Sequence, residues 1–520
     1  MSNLYLRTEL YSATQVRELD RIVIEEFGIS GYELMQRAGR FSFEILKKTF
    51  PHEVLFNVIC GCGNNAGDGY VLAKLAIEDD DTNMVKIFNC FNPEKLKGDA
   101  KRAYQDLLTL DPDVRDFYSN DGISINLDIL EDRVTKGVNV DAIFGTGLTR
   151  DIDNENLVSF IKMINDSHSQ ILSIDIPSGI NADTGSVMGV AVNADVTATF
   201  MGRKRGMYTH DGLEYSGQIK FNNLDIPSES YKKLGDSDCY ESEHHLLSAR
   251  NRNSHKGNFG HVLVIGGDEG YLGASQMAAE AAMRVGSGLV SVATRKSHAA
   301  QLSIAVPEVM SHGVETLDEL MPLIKQANVI VIGPGLGQSE WAKLLFARVL
   351  ESDLPIIIDA DALNLLAEEE QSSTNWVITP HPGEAARLLK TDVITIQSDR
   401  FQSAKMLHKK YQGPVVLKGA GSIVTDLHGN LFVCDAGNPG MSTGGMGDVL
   451  TGVIAGLIAQ GTNIDAATQA GVLMHACAAD MAASSGERGM MATDLMPYLR
   501  ELANPASIRV PMRATAADSE

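Results

Sequence analysis

Residues 438–452 read N-P-G-M-S-T-G-G-M-G-D-V-L-T-G, a glycine cluster that ends in Asp448 and runs into an apolar stretch predicted as a helix from 449 to 458. Glycines let backbone N–H groups turn toward a ligand without Cβ obstruction, and a helix N-terminus adds a partial positive charge. Such a nest suits a phosphate or another developing anion. A carboxylate in the same nest repels phosphate, so Asp448 fits best if it takes a proton from a hydroxyl next to that phosphate. Alone, the motif reads equally well as a glycine turn with a capped helix.

A second loop, G-C-G-N-N-A-G-D-G (61–69), follows the apolar run V-L-F-N-V-I-C (54–60). Its two asparagines and Asp68 separate it from the G-x-G-x-x-G dinucleotide fingerprint, and amide oxygens suit a hard monovalent cation or a ribose. Two further apolar runs end in polar clusters: Asp141 with Gly145, Thr146 and Gly147, and Asp175 with Pro177, Ser178 and Gly179. Asp175 could cap the turn before Pro177 and Gly145-Thr146-Gly147 could be a tight connection, yet strand ends in one sheet would converge on one crevice. Later in the chain, Lys418, Gly419, Ala420, Gly421 and Ser422 offer a cation and free N–H groups to a nucleotide without forming a Walker loop.

The elements that must position these groups are legible from periodicity. Val16, Leu19, Ile22, Val23 and Phe27 share one helical face, and Ser30 reads as the N-cap of a helix carrying Leu34, Ala38, Phe41 and Ile45. Strands at 54–60, 84–89, 138–148 and 171–179, separated by helical patterns near 98–109 and 155–166, predict a parallel, doubly wound sheet, with a helix resuming at 70–77 after the glycine loop. Residues 225–250 read as a solvated linker, in which adjacent His244 and His245 are no metal signal. The second half repeats the pattern, with runs at 261–268, 329–337, 355–364, 376–384 and 414–422 ending in glycine, aspartate, histidine or lysine. That predicts a second α/β domain with its active edge at the strand ends, followed by a disordered tail over 504–520.

With 520 residues, two or more domains are expected. A net charge of −23 argues against nucleic acid or an anionic membrane as partner. Six scattered cysteines with no C-x-x-C pair indicate neither a disulfide framework nor a zinc site. No signal peptide or membrane-spanning run is visible, so the expected compartment is the reduced cytoplasm.

Taken together, G-C-G-N-N-A-G-D-G, F-G-T-G-L, D-I-P-S-G, G-P-G-L-G, D-A-D-A-L-N, T-P-H-P-G-E, K-G-A-G-S and N-P-G-M-S-T-G-G-M-G-D give the chain a resemblance to bifunctional NAD(P)H-hydrate repair enzymes. In that family an N-terminal epimerase is fused to a C-terminal ADP- or ATP-dependent dehydratase. The resemblance implies a Rossmann-like doubly wound parallel sheet over 1–230 and a ribokinase-like α/β domain over 240–508. It implies substrates NADHX and NADPHX, hydrated at C6 of the reduced ring, together with ADP or ATP and Mg²⁺, and a homo-oligomer. In the first domain Asp175 would be catalytic. Asn64, Asn65, Ala66, Gly67 and Asp68, with Gly145, Thr146, Gly147, Leu148, Thr149, Arg150 and Asp151, would embrace the hydrate, and Asn65, Asp141 and Ser178 would bind K⁺. In the second, Asp448 would be the base; Ala274, Gly335, Gly337, His381 and Asp448 would line the hydrate pocket. Lys418, Gly419, Ala420, Gly421, Ser422 and Gly447 would hold the nucleotide. Ala66 stands where the family usually has glycine, and its methyl is expected to crowd a ligand or to forbid a positive φ. Two rival readings are a vitamin-type small-molecule kinase, which would leave a stable phosphorylated product, and a non-catalytic nucleotide-sensing or protein-docking module.

Overall fold

The structure, a computed structural model, describes residues 8–79, 84–110, 134–235, 237, 239–241, 247–369 and 371–504. The chain divides into two compact units, Met1–Glu241 and Ser242–Glu520.

In the first unit β1 (Leu55–Cys60), β2 (Met84–Asn89), β3 (Val138–Ala142), β4 (Gln170–Ile174), β5 (Val196–Phe200) and β6 (Gln218–Asn222) form one sheet in the order β2-β1-β3-β4-β5-β6. Every neighbouring pair is parallel. Period-2 alternation assigns the faces. Phe56, Val58 and Cys60 of β1 join one core cluster with α2 (Gly31–Thr49), α3 (Asn64–Asp79) and α4 (Gly98–Leu110), while Ile59 joins Phe160, Ile161 and Ile164 of α5 (Glu155–Asp166) in another. Helices thus cover both faces, as a parallel sheet requires. Ser12 caps α1 (Ala13–Phe27) by accepting from the Gln15 N–H, and Ser30 caps α2 by accepting from the Glu33 N–H. The order reverses between β1 and β3, which makes the crevice at their carboxyl ends the natural ligand site.

The second unit has its own parallel sheet, from β7 (His261–Ile265), β8 (Leu289–Thr294), β9 (Met310–Gly313), β10 (Val329–Ile332), β11 (Ile356–Ile358) and β12 (Trp376–Ile378), in the order β9-β8-β7-β10-β11-β12. The apolar run at 414–422 departs from expectation. Val415 still bridges Ile378 of β12 in parallel, but the run goes on as an antiparallel pair, β13 (Val416–Leu417) with β14 (Ser422–Thr425), followed by β15 (Leu431–Cys434). Gly419 at φ +148° and Gly421 at φ +61° allow the tight reversal. The helix after Asp448, α9 (Met446–Ala459), lies so close to α6 (Leu272–Arg284) that a Cβ at Gly452 would sit 2.0 Å from the Ala278 carbonyl oxygen. It is buried with α10 (Ile464–Ala482) in a cluster containing Val449, Val453, Leu457 and Met474. The two-domain α/β class holds, each unit built on its own parallel sheet and the first doubly wound.

Two further expectations change. The 225–250 stretch contains the helix Ser228–Leu234, whose Ser230 is buried, so this part is folded rather than a solvated linker. His244, His245 and residues 505–520 lie outside the described residues. The helix expected from Tyr70 begins six residues earlier, at Asn64, because Gly67 and Gly69 pack closely: Cβ atoms there would press on Met35 and on Ala142. Among the described residues no helix is long and apolar enough to cross a membrane.

Candidate active sites

In the first unit, the ends of β1, β3 and β4 open onto a cavity of about 530 Å³ lined by Asn64, Asn65, Asp68, Gly145, Thr146, Gly147, Leu148 and Asp175, among others. Asp175 follows β4 directly, in the left-handed region at φ +70°. Its Oδ1 accepts from the Lys204 ammonium, and its Oδ2 accepts from the Thr146 N–H at 3.4 Å. Gly145 must be small here, since a Cβ would come within 2.9 Å of Asp175 Oδ2. Lys204 is fully buried and also donates to Thr199 Oγ1 and the Phe200 carbonyl, both at 3.0 Å.

Asp141, at the end of β3, is buried without a cationic side chain as ion-pair partner among the described residues. It accepts from Ser173 Oγ and the Ser178 N–H at 2.8 Å, from Ser178 Oγ at 2.5 Å and from the Ile143 N–H at 3.2 Å. Burial nevertheless raises its pKa against those donors. Asn65 is buried with neither side-chain atom hydrogen-bonded. An unclaimed amide oxygen and an uncompensated buried carboxylate, all hard oxygen donors, fit an alkali cation.

In the second unit Asp448 sits in the first turn of α9. Burial, with the negative charge of Asp359, pushes its pKa up to about 7 despite Lys418. Lys418 Nζ donates to Asp359 Oδ1 at 2.7 Å and lies 3.8 Å from Glu384 Oε2. Burial alone would lower the Lys418 pKa, but the Asp359, Glu384 and Asp448 carboxylates outweigh it. Glu384, in the first turn of α7 (Pro382–Leu389), is raised to about 7, chiefly by burial. A Cβ at Gly447 would meet Lys418 Nζ at 3.1 Å, so the ammonium lies against the start of α9. A half-buried acid titrating near neutrality, a cation and the N–H groups of a helix N-terminus are the parts of a phosphoryl-transfer site.

A family model described as NAD(P)H-hydrate dehydratase matches residues 262–501, and one described as YjeF-related protein N-terminus matches residues 31–206. A bifunctional NAD(P)H-hydrate repair enzyme of Coxiella burnetii is 47% identical over 507 residues, 96% of this chain and 100% of its own. One of Escherichia coli is 40% identical across 95% of this chain and 94% of its own. The chain belongs to the bifunctional NAD(P)H-hydrate repair enzymes. A solved structure described as ADP/ATP-dependent NAD(P)H-hydrate dehydratase of Bacillus subtilis, co-crystallised with ATP/Mg²⁺, is 28% identical across 49% of this chain and 93% of its own, with a TM-score of 0.45.

Within this repair-enzyme framework, not every expected residue meets its site. Ala66 is fully buried inside α3, with no positive φ, and its methyl joins the core cluster instead of crowding the cavity. Gly67 likewise packs against Met35 and Ala100. Thr149, Arg150 and Asp151 are exposed and do not line the cavity. In the second unit, Gly335 and Ala274 are neighbours: a Cβ at Gly335 would lie 3.3 Å from that of Ala274. Gly337 donates its N–H to Asp361 Oδ2 at 2.9 Å. His381 caps α7, accepting from the Gly383 N–H at 3.0 Å, and burial followed by Lys418 lowers its pKa. In the 418–422 turn, Gly419 and Ala420 are exposed, and Ser422 Oγ donates to the Gly419 carbonyl at 3.0 Å.

The sequence reading assigned no role to several groups. Asp359 and Glu384 were in view as parts of D-A-D-A-L-N and T-P-H-P-G-E, without a task. Arg400, on α8 (Arg400–Tyr411) and 1% exposed, donates to the carbonyls of Leu417 at 3.2 Å and of Lys418 and Gly421 at 3.4 Å, fixing the turn from behind. His475 on α10 is buried with Nε2 unpartnered, its pKa lowered to about 4 by burial and then by Lys418. In the first unit, Lys204 and Asp20 were missed. Asp20 lines the cavity from α1, and burial with the charge of Asp175 pushes its pKa to about 6. Its signal was there: an acid four residues after Val16, on the apolar face.

Proposed function

We propose that this chain interconverts the R and S hydrates of NADH and NADPH in its first unit (1–230) and dehydrates the S hydrate in its second (240–508) at the expense of ADP or ATP. The observation that carries this reading is Asp448: a half-buried carboxyl whose pKa is pushed to about 7, chiefly by desolvation, at the mouth of a glycine-opened helix, beside Lys418.

In the second unit Asp448 would take the proton of the C6 hydroxyl as that oxygen attacks the terminal phosphoryl group. The N–H groups of residues 444–447 and Lys418 would stabilise the charge developing on the phosphoryl oxygens. Phosphate would then leave C6, pushed by the ring nitrogen, and loss of a proton from C5 of the resulting iminium would restore the C5=C6 double bond. Lys418, Gly419, Ala420, Gly421, Ser422 and Gly447 would hold the nucleotide, and Ala274, Gly335, Gly337 and His381 the hydrate. Mg²⁺ would enter with the nucleotide and supply charge neutralisation on its phosphates. Among the described residues no three His, Cys, Asp or Glu side chains form a metal-ligand set.

In the first unit Asp175, oriented by Lys204, would exchange protons at the C6 oxygen. Asn65, Asp141 and Ser178 would hold K⁺, whose charge would compensate the buried Asp141 carboxylate. Six free cysteines support a reduced, cytoplasmic setting, and a homo-oligomer, checked by light scattering, completes the proposal.

The test incubates the full-length chain and its Asp448→Asn variant with mixed hydrates, with and without ADP or ATP. NADH recovery should need nucleotide, release free phosphate and fall by orders of magnitude in Asp448→Asn, while R–S exchange persists. Accumulation of a stable phosphorylated hydrate, or normal recovery in the variant, would refute it.

A further inference from the structure

The first cavity holds a second carboxyl suited to proton transfer. Asp68 lies on the first turns of α3, is buried, and lines the same cavity as Asp175. Among the described residues no hydrogen bond reaches its carboxyl, and Lys204 does not supply one, since its ammonium is directed to Asp175, Thr199 and Phe200. The charged groups that line the cavity with it are Arg17 and Asp20 from α1, Asp99 from the start of α4, and Asp175, behind which stands Lys204. Burial, then the charges of Asp175 and Asp20, raise the Asp68 pKa well above the usual carboxylate range, with Lys204 opposing. The two acids therefore differ in kind: one is ion-paired, the other is burdened with its proton. They also reach the cavity from different elements: Asp68 comes from α3 and Asp175 from the turn directly after β4.

We propose that Asp68 and Asp175 act as a pair on the two faces of the hydrated ring, Asp68 protonating the departing hydroxyl and Asp175 receiving the proton released by the incoming water. This rests on the epimerase reading above. The C6–O bond breaks, the Asp68 proton leaves with the oxygen as water, and the ring-nitrogen lone pair forms a C=N iminium. Water then bonds to C6 from the opposite face and gives its extra proton to Asp175. One proton has moved from Asp68 to Asp175, and reaction of the opposite epimer moves it back. Acid and base with environments that separate their proton states are a recurring catalytic arrangement.

The experiment follows pure R and pure S hydrate in oxygen-18 water, in short assays corrected for spontaneous exchange, with the full-length chain, Asp68→Asn and Asp175→Asn. Inversion should fall about 10²–10⁴-fold in both variants. Each should still exchange the hydroxyl oxygen of one epimer, and not the same one, without inverting it. In the unsubstituted chain, inversion should decline toward alkaline pH as Asp68 loses its proton. Thermal melts and the dehydration of S hydrate by the second unit report folding, and Asp68→Ser substitutes if Asp68→Asn melts early. Inversion by the Asp68 variant within a few-fold of the unsubstituted rate, or no alkaline decline, would overturn the pair. An unsubstituted chain that interconverts nothing would instead overturn the epimerase reading.

Discussion

Both units set an aspartate near a lysine at the carboxyl edge of a parallel sheet, Lys204 fully buried and Lys418 partly so, but the two lysines distribute their charge differently. Lys204 gives its ammonium to one carboxylate, Asp175, and to two neutral oxygens. Lys418 hydrogen-bonds Asp359, lies near Glu384, and reaches Asp448 only through its field. Desolvation, joined by the surplus negative charge of three carboxylates around one ammonium, raises Asp448 and Glu384 both to about 7. The first unit keeps its surplus acids, Asp68 and Asp20, off the lysine and inside the cavity. Burial first, and then the number of carboxylates per lysine, sets which acid can change its proton state near neutrality.

The comparison breaks most visibly when the lysines are removed. Lys418→Met should lower dehydration about 10²–10³-fold, the scale of one lost transition-state donor, and leave R–S exchange intact. Lys204→Met should do the reverse. Both rates can be read on one preparation of each variant; a variant that impairs both rates alike would contradict the separation of the two chemistries.

A smaller effect sharpens the account of the second site. Asp448 acts as a base only when ionised, so dehydration should climb with pH as the group deprotonates near 7. Asp359 is the strongest charge opposing that ionisation. Asp359→Asn should therefore move the acid limb of the kcat profile to lower pH by about one unit. A limb that stays put, or moves upward, would remove Asp359 from the cause.

What could be read from the sequence follows from how local each signal is. The Ser30 cap, the apolar faces of α1 and α2 and the helix after Asp448 are decided within a few turns, and they stand. Lys204 was not legible because R-K-R in 203–205 looks like a solvated basic cluster. Its burial depends on β5 ending at Phe200 and on Met201 turning at φ +62°, which returns the chain beneath Asp175. β5 itself was hidden, since V-T-A-T-F carries two threonines that are fully buried. Glycines at 67 and 69 read as loop, although what they provide is close contact for a helix. Asp359 and Glu384 sat in recognised motifs, but only the fold brings β11 and α7 together at Lys418.

The smallest effect is on stability. Asp448 has a folded pKa near 7 against an ordinary value of 3.8, so between these limits the folded state binds more protons than the unfolded one. Stability then falls as pH rises through that window: the contribution is whole below about pH 4 and lost above about pH 7. Glu384 adds a slope of the same sign, and its charge also helps to raise Asp448, so replacing Asp448 removes part of that slope as well. The difference between the unsubstituted chain and Asp448→Asn therefore reads Asp448 together with its interaction with Glu384. Both tryptophans, Trp341 and Trp376, are buried in the second unit, so their fluorescence follows its unfolding separately from the first. Asp448→Asn should melt with the unsubstituted chain at pH 4 and above it at pH 8. A gap that is constant across that range, or that opens toward acid, would mean that Asp448 is not held as a desolvated, proton-binding base.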